Sequence, residues 1–316
     1  MKLFITGGAG FIGSHVVQRA LDADHAVTVF DNLSHGYRAL VDPRADFVAG
    51  ELGDRAAVAA ALAGHDAVIH LAATSIIQQT IADPAATFEN NLTNGLHLLE
   101  AMRQTGVMKI INSSTAAVYG EPERVPVHET DRKQPMTPYG ASKYALEIAL
   151  GAYHACYGLE SVSLRYFNAY GPRDDQQPRT RAVPKWIAAS LRNQPIEVYW
   201  QGRQYRDYVY VSDIAEAHLR VLPLAGCLAF NVGTAQGVYM ADVLQTIGQL
   251  TGMTPIIHDK GDRPGDPTRL VADTSRLRQA TGWQPQTPLL EGLSRTVAYY
   301  RRSIERGPHF DPADGM

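Results

Sequence analysis

Short runs of apolar and β-branched residues alternate with amphipathic stretches through the first half of the chain, and this alternation narrows the possible folds more than any other feature. Residues 2–6, 26–30, 46–48, 67–70, 108–112 and 161–166 read as strands, with helical patterns such as 12–21 and 56–62 between them. Strands that alternate with helices form right-handed crossover units, which place the strands parallel and cover the sheet on both faces. The expected class is therefore α/β, a doubly wound parallel sheet.

After about Gly171 the alternation stops, interrupted by Pro172, Pro178, Pro184 and the polar run Arg173-Asp174-Asp175-Gln176-Gln177. A first domain over 1–170 and a smaller second domain over 171–316 are expected, with segments near 207–235 returning to the first. Helical stretches are expected at 183–192, 212–222, 240–251 and 289–303, and a frayed tail at 307–316. At 316 residues, 45% hydrophobic and 19% charged, the chain can bury a sizeable core.

Composition also excludes function classes. Lys and Arg total 29 against 32 Asp and Glu, a formal charge of −3 without a long run of either sign, which lacks the footprint of a nucleic-acid binder. Two cysteines, Cys156 and Cys227, are too few for a disulfide framework, and the 11 histidines show no metal-ligand spacing, so no metal is expected. The first residues run straight into glycines with no signal-peptide pattern, and no apolar run approaches membrane-spanning length. A cytoplasmic protein without a membrane partner is the expectation.

Thr6-Gly7-Gly8-Ala9-Gly10-Phe11-Ile12-Gly13 follows the first expected strand and opens the first expected helix. Glycines there let the backbone approach a pyrophosphate, whose charge the helix N-terminus offsets. Asp31 ends the second strand, where a carboxylate accepts hydrogen bonds from ribose hydroxyls and repels a 2′-phosphate. The neighbouring Asn32, Leu33 and Ser34 supply no arginine for such a phosphate. The pattern favours NAD over NADP.

Tyr139 and Lys143 stand four apart, on one face of a helix expected to continue to about Ala155. A free phenol titrates near pH 10, but one positive charge about 4 Å away at an effective dielectric near 20 contributes roughly 4 kcal/mol, or about three pKa units. Asn112-Ser113-Ser114-Thr115 follows the fifth strand, and the carboxyl ends of strands in such a sheet face the ligand crevice. Thr115 is thereby placed to share a substrate hydroxyl with Tyr139; the alternative is a turn hydroxyl bonded to its own backbone.

Together these residues resemble the extended short-chain dehydrogenase/reductases, and within them the NAD-dependent epimerase/dehydratase family. The resemblance covers nearly the whole chain. Besides the motifs above it includes His70-Leu71-Ala72-Ala73, Asn90-Asn91, Arg165-Tyr166-Phe167-Asn168-Ala169-Tyr170-Gly171-Pro172-Arg173, Arg206-Asp207-Tyr208, Asn231-Val232-Gly233 and Arg263-Pro264-Gly265-Asp266. It implies a Rossmann domain followed by a nucleotide-sugar-binding domain. The implied catalytic residues are Thr115, Tyr139 and Lys143. The implied NAD site comprises Gly7, Gly10, Phe11, Ile12, Gly13, Asp31, Asn32, Glu51, Leu52, Leu71, Ala72, Ala73, Asn91, Ser113, Tyr139, Lys143 and Tyr166, the last beside the nicotinamide. Thr115, Tyr139, Asn168, Arg206, Arg263 and Leu270 are the implied substrate contacts, with Asn168 and the two arginines on the diphosphate. For either arginine alone, a domain-bridging ion pair is the alternative.

The implied activity is 4-epimerisation of a nucleotide sugar through a transient 4-keto sugar, with UDP-glucose and UDP-galactose as the expected pair and a homodimer as the expected assembly. Glu51 stands where the family commonly has an aspartate for the adenine, and Asp54 is close by. Ala116 and Ala117 stand where dehydratases and decarboxylases of the family usually carry acids, and alanine supplies no proton-transfer help. Rival readings are UDP-glucuronate or UDP-N-acetylglucosamine 4-epimerase, a dehydratase, decarboxylase or reductase of the same fold, and a catalytically silent dinucleotide sensor. Leu270, at a position that gates the sugar in the resemblance, favours acetylated sugars; Arg179, Arg181 and Lys185 favour a uronate.

Overall fold

The computed structural model describes residues 1–174, 181–262 and 266–306. Its first half carries β1 (Lys2–Thr6), α1 (Phe11–Leu21), β2 (Ala26–Asp31), β3 (Asp46–Ala49), α2 (Arg55–Leu62), β4 (Ala67–His70), α3 (Ile77–Ala82), α4 (Pro84–Phe88), α5 (Asn94–Thr105), β5 (Lys109–Thr115), α6 (Pro138–Tyr157) and β6 (Glu160–Tyr166). These strands pair in parallel in the order β6-β5-β4-β1-β2-β3.

The second half supplies β7 (Asn168–Tyr170), α7 (Ala182–Leu191), β8 (Ile196–Val198), β9 (Tyr205–Tyr210), α8 (Val211–Val221), β10 (Cys227–Val232), β11 (Gly237–Tyr239), α9 (Met240–Thr251), β12 (Ile257–Asp259), β13 (Arg269–Leu270), α10 (Ser275–Thr281) and α11 (Leu289–Arg306). β10 joins the edge of the large sheet beside β6, in parallel, as its seventh strand.

Period-two alternation puts Leu3 and Ile5 on one face and Phe4 on the other. On the first face they pack against Val16, Val17 and Ala20 of α1 and Ile214, Ala217 and Val221 of α8. On the second, Phe4, Phe30 and Val68 meet Val58 and Leu62 of α2, Leu98 and Met102 of α5 and Leu146 and Leu150 of α6. A separate core joins α7, α9 and α11 to β7 and β9 around Trp186, Ile247, Tyr299 and Tyr300. The chain leaves β1 for β2 on one side and later returns to β4 on the other, so a crevice opens at the carboxyl ends of β1 and β4.

Candidate active site

The glycine loop lies at that crevice. A Cβ on Gly13 would stand 2.1 Å from the Gly7 carbonyl oxygen, and one on Gly7, at φ +73°, 2.5 Å from the Ala72 nitrogen. No larger residue fits either place. Gly10 caps α1 without a side chain, so the first-turn amides are left to an anion. Asp31 closes β2 with Oδ2 accepting from the Ala9 amide at 3.0 Å and Oδ1 from the Leu33 amide at 2.8 Å; burial raises its pKa and these bonds oppose the rise.

Two adjoining cavities flank the loop and share Gly7, Gly10, His35, Leu71 and Ala73. One is lined by Asp31, Asn32, Glu51, Leu52 and Ala72. The other, about 140 Å³, is lined by Phe11, Ile12, Gly13, Ser113, Tyr139, Lys143 and Tyr166. The run from the Asp31 carboxylate, past bare helix amides, to the Tyr139 phenol fits an extended dinucleotide. Of the two acids near the adenine position, Glu51 faces this cleft and accepts from Asn32 Nδ2 at 3.0 Å, while Asp54 caps α2 through the Ala57 amide.

Pro138 at the helix start and Thr137 as N-cap fix where α6 begins, which sets Tyr139 and Lys143 at the crevice. β5 runs on through Ser113 to Thr115, because these residues keep pairing with Leu164, Arg165 and Tyr166 of β6. Lys143 is buried and donates to Ser113 Oγ at 3.0 Å. Desolvation lowers its pKa to about 8, against the raising effect of Glu147 one turn on. Thr115 accepts from the Ala117 amide at 3.1 Å, and its hydroxyl stands near enough to the Tyr139 phenol to favour the phenolate. Desolvation raises Tyr139; Arg181 and the Thr115 hydroxyl pull it down. Arg181 is thus one cation that acts on the phenol, and Lys143, four residues on from Tyr139, is anchored on Ser113 in the wall of the same cavity.

Several expected residues lie elsewhere. Asn91 is buried, donating to Ser142 Oγ at 3.1 Å and the Thr74 carbonyl at 3.0 Å, and so buttresses α6. Asn168 starts β7, in register with Tyr208 of β9. Arg206 is ion-paired with Asp266 at 2.8 Å and also donates to the Tyr205 and Thr268 carbonyls, tying β9 to residues 266–268. Leu270 packs with Ala116, Phe167 and Tyr119 in an apolar cluster and is not among the cavity-lining residues. Arg263, Arg179 and the tail 307–316 lie outside the described residues. Lys185 points away, to Glu197 at 2.7 Å.

Sequence reasoning missed Ser75 and Asp174, both of which line the cavity of Tyr139 and Lys143. Ser75 follows Leu71-Ala72-Ala73 beyond the end of β4, a place where a parallel sheet turns residues toward its crevice. Asp174 sat in a polar run read as a boundary. Tyr166 is held through its hydroxyl by His218 Nε2 at 2.7 Å, and burial keeps its pKa well above 10.

A model of the NAD-dependent epimerase/dehydratase family matches residues 3–233. The chain is 39% identical to a UDP-glucose 4-epimerase of Lacticaseibacillus casei over 97% of its length and 98% of the relative's. It superposes with a TM-score of 0.93 and 34% identity on a Thermotoga maritima UDP-glucose 4-epimerase solved with UDP-glucose, covering 96% of this chain and 100% of that one. A Thermus thermophilus UDP-glucose 4-epimerase solved with NAD gives 0.90 and 39%, covering 95% and 99%. Glycine loop, acid-ended second strand and cleft therefore agree with an independent match of sequence and of shape: the chain belongs to the NAD-dependent epimerase/dehydratase family.

Proposed function

We propose that the chain is a nucleotide-sugar 4-epimerase that interconverts UDP-glucose and UDP-galactose through a transient 4-keto sugar. The observation that carries this reading is the convergence of Tyr139, with Thr115 close by, and Lys143, anchored on Ser113, beside the dinucleotide cleft. Residues 1–170, with 207–235 returning, hold the cofactor, and 171–316 present the nucleotide sugar.

Phe11, Ile12 and Gly13 amides would hold the pyrophosphate and Asp31 the adenosine ribose, while NAD supplies a reversible hydride acceptor at the sugar C4. Tyr139 takes the proton of the 4-hydroxyl and returns it, so one group serves both half-reactions. Thr115 donates to the same oxygen and fixes its position. Lys143 contributes the positive charge that favours the phenolate, and Ser113 holds its ammonium at the strand end. Asn168, Arg206 and Arg263 receive the diphosphate, anchoring one end of the substrate while the keto sugar turns over. Arginine's planar donors suit that task.

Small side chains at Ala116 and Ala117 support epimerisation over dehydration or decarboxylation, since neither supplies an acid beside Thr115. Leu270, smaller than tyrosine and beside Ala116 and Phe167, supports some acceptance of UDP-N-acetyl sugars. A second copy of the chain is the proposed partner, packed through α5 and α6, where Ile148 and Tyr157 are exposed, with Ile81 and Phe88 nearby on α3 and α4. Cys156 and Cys227 are unpaired, which supports a reducing cytoplasmic setting. Turnover on a panel of UDP-sugars tests the reading: interconversion of glucose and galactose forms is expected, and its absence would overturn it.

A further inference from the structure

Asp174 is a buried carboxylate with one oxygen in use and one free. It is 3% exposed and follows β7 into the wall of the cavity that Tyr139, Lys143 and Ser75 also line. Oδ1 accepts from Arg181 Nη1 at 2.6 Å, and its main-chain carbonyl accepts from the Tyr300 hydroxyl at 2.7 Å, which fixes the residue from both sides. Among the described residues Oδ2 has no hydrogen-bond partner, and the atom is buried. Buried carboxylate oxygens without a donor are costly, and natural interiors almost always satisfy them. Arg181 cannot meet this need alone, because its other arm donates to Ser75 Oγ at 3.0 Å and its plane lies over the Phe11 ring.

The same pair changes the electrostatics of the cavity. Arg181 looked from the sequence like a receptor for an acidic sugar, but Asp174 offsets its charge at contact distance. Lys185 is spent on Glu197. Lys143 and Arg173, which also line the cavity, donate to Ser113 and Gln18, and Asp174 is the one carboxylate among the described lining residues, an acceptor awaiting a donor.

We propose that Asp174 is a specificity-determining residue whose free oxygen accepts a hydrogen bond from a hydroxyl of a neutral hexose and whose charge disfavours a uronic acid. The identity of the substrate here rests on the epimerase reading; the contact itself does not. A ribose hydroxyl of the cofactor offers the same chemistry. Asp174 lies outside the cavity lined by Asp31 and Glu51, which sets it apart from the adenosine ribose, while the nicotinamide ribose would share its cavity and is told apart from the hexose by the NAD arm of the test.

The test is calorimetric binding of UDP-glucose, UDP and UDP-glucuronate to the NAD-loaded protein, wild type and Asp174→Asn, with bound NAD quantified after release. Wild type is expected to bind UDP-glucose at least tenfold more tightly than UDP-glucuronate, about 1.4 kcal/mol. Asp174→Asn should lose tenfold or more for UDP-glucose, stay within twofold for UDP, and bring the uronate closer to glucose. Equal wild-type affinities for glucose and glucuronate forms would overturn the proposal, and that arm does not depend on the variant folding. Equal losses for UDP and UDP-glucose would overturn it as well. Lost NAD with an unchanged UDP-glucose to UDP ratio would assign the hydroxyl to the cofactor and sink the hexose contact. A wild type that binds UDP-glucose without turning it over would refute the epimerase reading while leaving this contact decidable.

Discussion

Lys143 donates its ammonium to Ser113 Oγ at 3.0 Å, so the helix that carries the Tyr139 phenol and the strand that carries Thr115 are pinned together at the cavity that Lys143 and Ser113 both line. The phenol is the centre of that arrangement. Tyr139→Phe should cut kcat at least a hundredfold while leaving UDP-sugar affinity within a few-fold, the scale expected for loss of general acid–base catalysis. Steady-state kinetics with calorimetric binding checks it; near wild-type turnover would remove Tyr139 from the chemistry.

Lys143 titrates near pH 8 because burial disfavours its charged form. Its ammonium is therefore present below that pH and lost above it. Wild-type activity should decline as pH rises through about 8. Lys143→Ala should lack that decline and gain activity only at higher pH, where the unassisted phenol ionises. Superimposable pH profiles would mean the ammonium does not act on Tyr139.

Much of the first half was readable in the sequence because its strands are local and apolar. The end of β5 was not: Asn112-Ser113-Ser114-Thr115 has turn chemistry, and its extension comes from pairing with β6, more than forty residues on in the chain. β10 likewise owes its place to β6 across a long separation. At the site, Gly7, Asp31, Tyr139 and Lys143 declared themselves by spacing. The roles of Arg181 and Asp174 depend on each other and on Ser75, from β4's far end, and no local pattern encodes such a meeting.

Asp31 leaves no counter-charge for a 2′-phosphate, so protein purified without added nucleotide should release NAD and little NADP. Mass spectrometry of the released nucleotide decides the matter. Predominant NADP would show that the carboxylate does not select the ribose.

Arg165 and Glu147 form a buried ion pair at 2.6 Å beneath the Lys143 turn, with side chains 5% and 8% exposed. Arg165→Met should cost about 3–5 kcal/mol of stability, because the Glu147 charge is left buried and unpaired. Denaturant unfolding measures this, and a loss below about 1 kcal/mol would mean that water or another donor takes the arginine's place.

Leu270→Tyr tests the sugar gate. A bulkier side chain beside Ala116 and Phe167 should lower kcat/KM for UDP-N-acetylglucosamine relative to UDP-glucose by about tenfold or more. An unchanged ratio would show that Leu270 does not border the sugar.

Epimerisation itself is tested most directly by giving the purified protein, with no added nucleotide, either UDP-glucose or UDP-galactose and following the sugar by proton NMR. The account predicts that both starting materials converge on the same mixture of the two with no other sugar accumulating. Failure to interconvert them by a protein that retains NAD, or build-up of a dehydrated 4-keto sugar, would contradict it.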